Sequence, residues 1–297
     1  MPITVLNESI AKYLKDIDFN NDKIVNPSID NTLKNSILKD DSVTINIHKK
    51  TAFYVHIKAR DYHEMLLNTF YFNYNRFTKQ CDQIELLLQS RNSAWLLTTI
   101  YYACFFAANE ISNLHGLLNL TITNDEKAKL ISRNISSEHD TVREFLTEGP
   151  THFFGRVKFI NTDNTIQILF ESGGGKPHEL AWNNLDKTLK TLKNGDSSNR
   201  TIQILRIKNI LSNKNRWNKP NQIRNEWNYS KAELYLEEGD RHRYLFDKYK
   251  DDLNELNRWS NSGRGYRKGT EDDIISILYL YKILKSVIEE QKIKILD

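Results

Sequence analysis

The segment that decides the fold is Ser93-Ala-Trp-Leu-Leu-Thr-Thr-Ile-Tyr-Tyr-Ala-Cys-Phe-Phe-Ala-Ala-Asn109, an almost charge-free run with Arg91 before it and Glu110 after it. A helix that is apolar nearly all round is buried in a bundle or in a membrane. About 20 apolar residues are needed to span a bilayer, and this run is shorter. Its alanines let another helix approach closely, while its aromatic side chains fill the space beside that contact. The segment therefore predicts the central helix of a soluble helical bundle.

Apolar residues at helical spacing recur on both sides of this segment, which predicts a mainly α-helical chain. The predicted helices cover residues 3–16, 61–90, 93–119, 137–148, 179–194, 200–213, 220–237, 240–259 and 270–293. Alternating apolar and polar residues predict hairpins at 43–57 and 156–170. We therefore expect a helical bundle with two small β-hairpin additions. Residues 1–60 are predicted to form an N-terminal extension with a β-hairpin, and residues 61–297 a bundle with a β-hairpin insertion near 150–178.

The composition is that of an ordinary globular protein. The chain has 297 residues, with 42 Lys or Arg against 38 Asp or Glu and a formal net charge of +4. This mild excess permits nucleic-acid binding through a local patch but does not require it, and a solvated surface of mixed charge is the alternative. The start of the chain lacks the basic and then apolar pattern of a signal peptide. We expect a cytoplasmic protein with no membrane segment.

The chain contains no recognisable motif for a metal or a cofactor. Cys81 and Cys104 lack the spacing of metal ligands or of a disulfide framework, and the histidines form no zinc motif. The glycine-rich stretch Ser172–Lys176 lacks the spacing of a phosphate-binding loop, and Pro177 stands where such a loop has its Ser or Thr. We interpret the stretch as a flexible connector, the thiols as buried and inert, and predict neither cofactor nor metal.

A loop near the C-terminus combines basic side chains with an aromatic ring and glycines. Arg264, Arg267 and Lys268 flank Tyr266 in this loop. Such a loop can follow a phosphate backbone while its tyrosine stacks on a base. It is a candidate nucleic-acid-binding segment, and a solvated loop is the alternative.

The segment Ile223–Ser230 places polar side chains beside apolar anchors at helical spacing. Arg224 and Asn228 are four residues apart and share a helix face, and Asn225 and Tyr229 share the adjacent face. A guanidinium beside a phenol and two amides can bind a phosphate through a fork of hydrogen bonds. The alternative is a structural cluster in which Arg224 ties neighbouring helices together and Tyr229 covers the core.

The order of three motifs resembles the HEPN superfamily, the higher-eukaryote and prokaryote nucleotide-binding helical bundles. Many bacterial members carry a helix with paired tyrosines and alanines, then a short His-x-x-Val-x-x-Phe segment, and later a helix with an Arg-x-x-Ala-Asp-Tyr pattern. The matching residues here are Tyr101, Tyr102, Ala103, Phe106, Ala107 and Ala108 in the first motif, His139, Val142 and Phe145 in the second, and Arg224, Asn228 and Tyr229 in the third. Trp227 and Asn228 replace the usual Ala and Asp, and Gly116 stands where a glycine often closes the first helix. The resemblance covers roughly residues 61–148 and 200–290.

The resemblance implies a bundle of four or five helices that dimerises. In ribonuclease members an Arg, a polar residue and a nearby His form the active site, and two such sites meet at the dimer interface. They cleave RNA without a metal, with the neighbouring 2′-hydroxyl as nucleophile. The histidine manages the proton because its pKa lies near neutrality, and the arginine holds the charge that grows on the phosphate. The implied catalytic set here is Arg224, Asn225, Asn228 and Tyr229, with His139 as the proton-transfer group.

The chain departs from the family where the histidine of the third motif would stand. Tyr229 occupies that position, and a phenol with a pKa of about 10 is a poor base at neutral pH. The letters Arg133-Asn134 followed by His139 repeat an Arg-polar-x-x-x-x-His pattern, but in a connector and the start of an earlier helix. His139 therefore completes the predicted site only if it converges with Arg224 in space.

These observations predict a HEPN-like protein of a prokaryotic defence or toxin–antitoxin system, with metal-independent endoribonuclease activity as the leading hypothesis. A non-catalytic interaction or scaffold subunit of a defence complex is the main alternative, which the missing histidine favours. The third hypothesis is a nucleic-acid-binding subunit that uses the loop of Arg264, Tyr266, Arg267 and Lys268. The expected partners are RNA and either a second copy of the chain or a protein from the same operon.

Overall fold

The structure, a computed structural model, describes residues 2–19, 26–90, 92–134, 138–160, 162–192, 198–212, 219–230, 242–249 and 269–297. Within these ranges the chain is mostly helical and contains a small five-stranded antiparallel sheet. The mainly α-helical class predicted from the sequence is therefore confirmed. None of the described helices is long and apolar enough to cross a membrane.

Helices occupy most of the described chain. Their bounds are α1 Pro2–Asp16, α2 Leu33–Lys39, α3 Ala59–Gln89, α4 Ser93–Asn113, α5 Asn124–Ser132, α6 His139–Thr147, α7 Pro177–Thr191, α8 Ser198–Ser212, α9 Pro220–Asn225, α10 Arg243–Tyr249 and α11 Thr270–Ile295. A turn of 3-10 helix, Ile29–Asn31, precedes α2, and a turn of π-helix, Glu226–Ser230, continues directly from α9.

Both predicted hairpins are present, but they are parts of one five-stranded sheet, which is larger than the two small additions expected from the sequence. The strands are β1 Thr44–Lys49, β2 Ala52–Lys58, β3 Leu117–Thr121, β4 His152–Ile160 and β5 Thr165–Ser172, in the order β1-β2-β5-β4-β3. Strand β2 pairs with β5 along its whole length, from Ala52 opposite Glu171 to Lys58 opposite Thr165. Pairing satisfies the backbone groups that a lone hairpin leaves unpaired at its edge, and it joins the apolar faces of the hairpins into one surface.

The helix predicted over residues 93–119 is too long, because residues 117–119 belong to strand β3. Helix α4 ends at Asn113, and Gly116 follows with a φ of +69°. That left-handed conformation is the usual way to end a helix and is easily adopted only by glycine. The chain then turns into β3, where Leu118 and Leu120 are buried and Leu117 is opposite Arg156 of β4.

The chain divides into two compact units, each assembled from several parts of the sequence. The first, named here the helical unit, comprises Met1–Glu8, Tyr74–Ala108 and Leu185–Glu290. The second, named the sheet unit, comprises Ser9–Asn73, Asn109–Asn184 and Gln291–Asp297. The division at residue 60 that the sequence suggested stays a prediction.

The core of the helical unit includes the first part of α4, and the small residues there act as expected. Ala103, Cys104 and Ala107 are all buried. The thiol of Cys104 donates a hydrogen bond to the backbone carbonyl of Ile277 in α11, with 3.7 Å between sulfur and oxygen. A short side chain reaches a neighbouring backbone only where the two helices lie close together. Small residues in α4 therefore permit its close contact with α11.

The core of the sheet unit is built around phenylalanine. Phe53 of β2 and Phe170 of β5 stack with ring centroids 5.0 Å apart. Phe153 of β4 and Phe145 of α6 meet the Phe53 ring edge-on at 5.0 and 5.7 Å. Phe145 is fully buried, whereas its neighbour Leu146 is exposed. Helix α6 thus covers one face of the sheet through one aromatic anchor.

Candidate functional site

The segment that carries Arg224 is a short helix anchored by two apolar side chains. Helix α9 begins at Pro220, whose fixed φ suits a first helical turn, and the backbone N–H of Lys219 donates to the Gln222 side chain at 3.0 Å. Ile223 and Trp227 are fully buried. Because these anchors point into the core, the polar residues between them are held on the outer side.

Arg224 makes two directed hydrogen bonds in the structure. Its Nη2 donates to the Tyr102 hydroxyl of α4 at 2.7 Å, and its Nη1 donates to Oδ1 of Asn225 at 3.0 Å. The guanidinium carbon also lies 5.6 Å from the centre of the Tyr102 ring and 5.7 Å from that of Tyr229. Helix α4 therefore contacts the Arg224 segment, and the guanidinium lies close to two tyrosine rings.

The π-turn explains why Tyr229 reaches Arg224. In an α-helix, residues five apart point in different directions. A continuous α-helix would therefore place Tyr229 on the face of Asn225 and not on the face of Arg224. A π-helix has wider turns with i to i+5 pairing, which brings residues five apart onto one face. The turn Glu226–Ser230 therefore moves Tyr229 toward Arg224. Turns of this kind are frequent at functional sites.

Asn228 ties the π-turn to α4. The buried hydroxyl of Thr98 donates to Oδ1 of Asn228 at 2.8 Å. This bond engages the amide oxygen of Asn228, and the NH2 group of Asn228 remains as a donor. The four residues predicted from the third motif, Arg224, Asn225, Asn228 and Tyr229, are thus brought together with Thr98 and Tyr102. We name these six residues the Arg224 cluster.

The Arg224 cluster is electropositive. Among the described residues Arg224 forms no ion pair with a carboxylate. Burial favours the neutral guanidine, but the hydrogen bond to Tyr102 and the surrounding tyrosines outweigh it, so the pKa of Arg224 lies above its usual value. A guanidinium has five N–H donors, and Nη1 and Nη2 each use one of their two. Each of these nitrogens therefore keeps a second N–H for an anion.

One exposed aromatic ring, Tyr229, lies beside this cation, and a second, Trp95, lies on the same face of α4 as Tyr102. Tyr229 is 76% exposed and Trp95 of α4 is 52% exposed. Trp95 and Tyr102 are seven residues apart, two helical turns, and so lie on the same face of α4. Trp95, Thr98 and Tyr102 are not among the site residues predicted from the sequence, although their spacing of three and four residues places them on one face of α4.

His139 lies in the sheet unit, as the exposed first residue of α6. Its convergence with Arg224 stays a prediction. Arg133 and Asn134, which precede His139 in the sequence, both bond to the backbone of the sheet unit. Arg133 donates to the carbonyls of Ile37 and Val43 at 2.6 and 3.0 Å. Asn134 accepts from the backbone N–H of Ile47 at 3.1 Å. The predicted loop residues Arg264, Tyr266, Arg267 and Lys268 lie outside the described residues.

Comparisons with protein-family models, curated proteins and solved structures find no match for this chain. The resemblance to the HEPN superfamily therefore stays an expectation from three motifs. Within the part of the chain that the structure describes, no three His, Cys, Asp or Glu side chains are grouped as metal ligands would be. The Arg224 cluster is therefore the candidate functional site.

Proposed function

We propose that this protein binds single-stranded RNA at the Arg224 cluster. The observation that carries the proposal is a cation, Arg224, that lies close to two tyrosine rings, has no carboxylate partner among the described residues and keeps unused N–H donors. Single-stranded RNA presents phosphates for such a cation and unpaired bases for exposed aromatic rings. A double helix hides its base faces and would leave Tyr229 and Trp95 unused.

Each residue of the cluster has a role in this proposal. Arg224 donates its remaining Nη hydrogens to a phosphate oxygen, a charge-assisted pair stronger than a neutral hydrogen bond. Tyr229 presents its exposed ring to a base. Asn225 and Tyr102 hold the guanidinium in place, so that little freedom is lost when the phosphate binds. Asn228 fixes the π-turn through Thr98.

Metal-independent cleavage is the reaction we propose for RNA bound in this way. The 2′-oxygen attacks the adjacent phosphorus, the bond to the 5′-oxygen breaks, and that oxygen takes a proton from water, so the products carry a 2′,3′-cyclic phosphate and a 5′-hydroxyl. Arg224 stabilises the charge that develops on the phosphate oxygens. The proton of the 2′-hydroxyl requires a base, and the Arg224 cluster contains neither an imidazole nor a carboxylate. His139 is proposed for that role from the motif order alone, as is the defence or toxin–antitoxin setting.

A protein-interaction module is the second candidate function, and the residue types of the cluster favour it. Trp, Tyr and Arg dominate the energetic centres of protein interfaces, and Trp95, Tyr229 and Arg224 are all accessible to some degree. A second copy of the chain or a protein from the same operon would be the partner. Under this proposal the cluster binds no RNA.

Binding is tested by fluorescence anisotropy with a labelled 12-nucleotide single-stranded RNA in EDTA. We expect Arg224→Ala to weaken binding by about tenfold or more, since a hydrogen bond to a charged group is worth about 1.5–3 kcal/mol. Arg224→Lys keeps the charge but loses the fork, and it should fall between Arg224→Ala and the wild type. The matched control is Arg76→Ala, an exposed arginine of α3 in the same unit. Equal losses for Arg76→Ala and Arg224→Ala would contradict the site.

Cleavage is tested separately with the same RNA in EDTA, by following product ends on a gel. We expect the wild type to cleave, and both Arg224→Ala and His139→Ala to reduce the rate at least a hundredfold, in line with the usual loss of a proton-transfer group. Binding without cleavage in the wild type removes the nuclease proposal and keeps the RNA-binding one. Neither binding nor cleavage leaves the interaction module as the better account.

A further inference from the structure

The sheet has two faces of opposite character. The face formed by residues such as Val55, Ile168 and Phe170 is buried in the core of the sheet unit. The pairing register fixes what the other face carries, because residues directly opposite in neighbouring strands point the same way. We name six residues of that other face the outer sheet patch: Tyr54, His56, Lys58, Arg156, Lys158 and Gln167.

The outer sheet patch is basic. Lys58, Arg156 and Lys158 are exposed, and none of them forms an ion pair within the described ranges. In the sequences of the five strands Glu171 is the single carboxylate. Surface lysines and arginines normally stand among acidic residues of comparable number, as they do in this chain as a whole. An unbalanced set of cations on one sheet face favours an anionic ligand.

Planar groups run across the centre of the patch. The Tyr54 ring lies 6.4 Å from the His56 ring with the two planes only 17° apart, and 5.8 Å from the ring of His48. His48 is the extra residue where the register between β1 and β2 shifts, so the bulge places it beside Tyr54. The Gln167 amide nitrogen lies 2.9 Å from Nε2 of His56. Tyr54, His56 and Gln167 are half-buried, so each still reaches solvent.

The cations and the planar groups share rows of the sheet. Leu169 is opposite Tyr54 on one side and opposite Arg156 on the other, so these three residues form one row. In the next row Gln167 is opposite both His56 and Lys158. Neighbouring strands are about 5 Å apart, so each cation lies about 10 Å from the ring in its own row. Arg156 is further fixed by its position over the Phe154 ring, 5.2 Å from its centre.

We infer that the outer sheet patch is a binding surface for single-stranded RNA, in which bases stack on Tyr54 and His56 while Lys58, Arg156 and Lys158 contact the phosphates. A sheet face that presents solvent-accessible aromatic rings among basic side chains is a general means of holding splayed bases. Amide and imidazole groups beside the rings can bond to base edges. The patch belongs to the sheet unit, so the inference does not depend on the proposal for Arg224.

The decisive experiment compares two triple variants of the full chain with equal charge changes. One is Lys58→Ala, Arg156→Ala and Lys158→Ala together. The other removes three exposed lysines from helices of the same unit, as Lys12→Ala, Lys15→Ala and Lys129→Ala. With a labelled 12-nucleotide RNA in about 0.1 M salt, we expect the patch variant to bind at least about tenfold more weakly and the control variant to change less than threefold. The slope of log affinity against log salt should fall by about 2 in the patch variant only, since each single-strand phosphate contact contributes about 0.7.

A further variant tests stacking without changing charge. Tyr54→Leu keeps an apolar side chain but removes the ring, and we expect at least a fivefold loss of affinity. Equal losses in the two triple variants, an unchanged affinity in Tyr54→Leu, or equal binding of a duplex of the same length would each overturn the inference. Repeating the titrations with Arg224→Ala separates the two sites. If RNA binding depends on Arg224 and not on the outer sheet patch, the present inference is refuted and the proposal for Arg224 stands. If RNA binding depends on the patch and not on Arg224, the proposal for Arg224 is refuted and the present inference stands.

Discussion

Glu110 is a buried carboxyl group that forms no ion pair with any of the described residues. The Asn73 and Asn113 amides both donate to its Oε2, and Oε1 has no hydrogen-bond partner among the described atoms. The buried hydroxyl groups of Tyr13 and Tyr62 belong to the same interior. Burial raises the pKa of Glu110 to about 7, although the two amide hydrogen bonds lower it. The folded protein therefore keeps Glu110 protonated at pH values where the unfolded chain is ionised.

Glu110→Gln should change how stability depends on pH. In the wild type the unfolded chain releases this proton near pH 4.5 and the folded chain only near pH 7, because burial raises the pKa of Glu110, so the free energy of unfolding falls as pH rises between these values. The fall is on the order of 3 kcal/mol, from 1.36 kcal/mol per pKa unit. We expect urea unfolding to show that Glu110→Gln gains stability relative to the wild type by this amount from pH 4.5 to pH 7. A constant difference between the two proteins would contradict the buried-acid account.

His115 supplies the matched control because its effect has the opposite sign. Its Nδ1 donates to the Ile111 carbonyl at 2.9 Å, and Nε2 lies 3.1 Å from the Ser9 hydroxyl. Burial lowers the pKa of His115 from 6.5 to about 4 despite the bond to Ile111. The folded protein therefore loses stability as pH falls from 6.5 toward 4, and His115→Gln should lose less than the wild type over that range. The two residues offset each other in the wild type, so only single variants reveal either effect.

Gly116 and Gly174, each at a boundary between elements, both have a left-handed backbone conformation but differ in their surroundings. Gly116, between α4 and β3, has a φ of +69°, and a Cβ there would lie 1.9 Å from the Tyr13 hydroxyl. Gly174, before α7, has a φ of +62°, with nothing within 4 Å of a Cβ. We expect Gly174→Ala to cost about 1–2 kcal/mol of backbone strain, and Gly116→Ala to cost more because Tyr13 must also move. Urea unfolding of both variants measures the difference, and equal costs would show that Tyr13 does not pack on Gly116 as described.

The sequence predicted the elements whose hydrophobic period is long or regular. Helices α3, α4 and α11 and the strands of both hairpins follow directly from spacing. Strand β3 could not be separated from α4, because its leucines continue the apolar run and only pairing with β4 makes them a strand. Helix α5 was missed although Thr123 and Glu126 form a capping box, a signal that the sequence displays.

The same limits apply to the candidate site. Arg224, Asn225, Asn228 and Tyr229 were identified from residue types and their order in the chain. Their arrangement was not, because the sequence implied an α-helix where the structure has a π-turn. Nothing in a single sequence marks a π-turn, and the contacts made by this one, the burial of Trp227 and the bond from Thr98 to Asn228, are tertiary.

At the scale of the whole molecule, net charge alone would not account for the RNA binding proposed here. The net charge of +4 comes from 42 basic and 38 acidic residues, so the average surface is nearly balanced. A weak overall field neither steers nor holds a polyanion strongly. The affinity proposed here must come from local groups: the Arg224 cluster in the helical unit and the outer sheet patch in the sheet unit.

The measurement that tests the central claim most directly is photocrosslinking of the full chain to single-stranded RNA that contains 4-thiouridine, followed by trypsin digestion and mass spectrometry. Cleavage after Arg224 and Lys231 releases residues 225–231, a peptide that contains Tyr229. We predict that this peptide carries a crosslinked nucleotide in the wild type, and that Tyr229→Leu removes the crosslink while Arg76→Ala leaves it. Crosslinks confined to other peptides, with residues 225–231 unmodified, would contradict RNA binding at the Arg224 cluster.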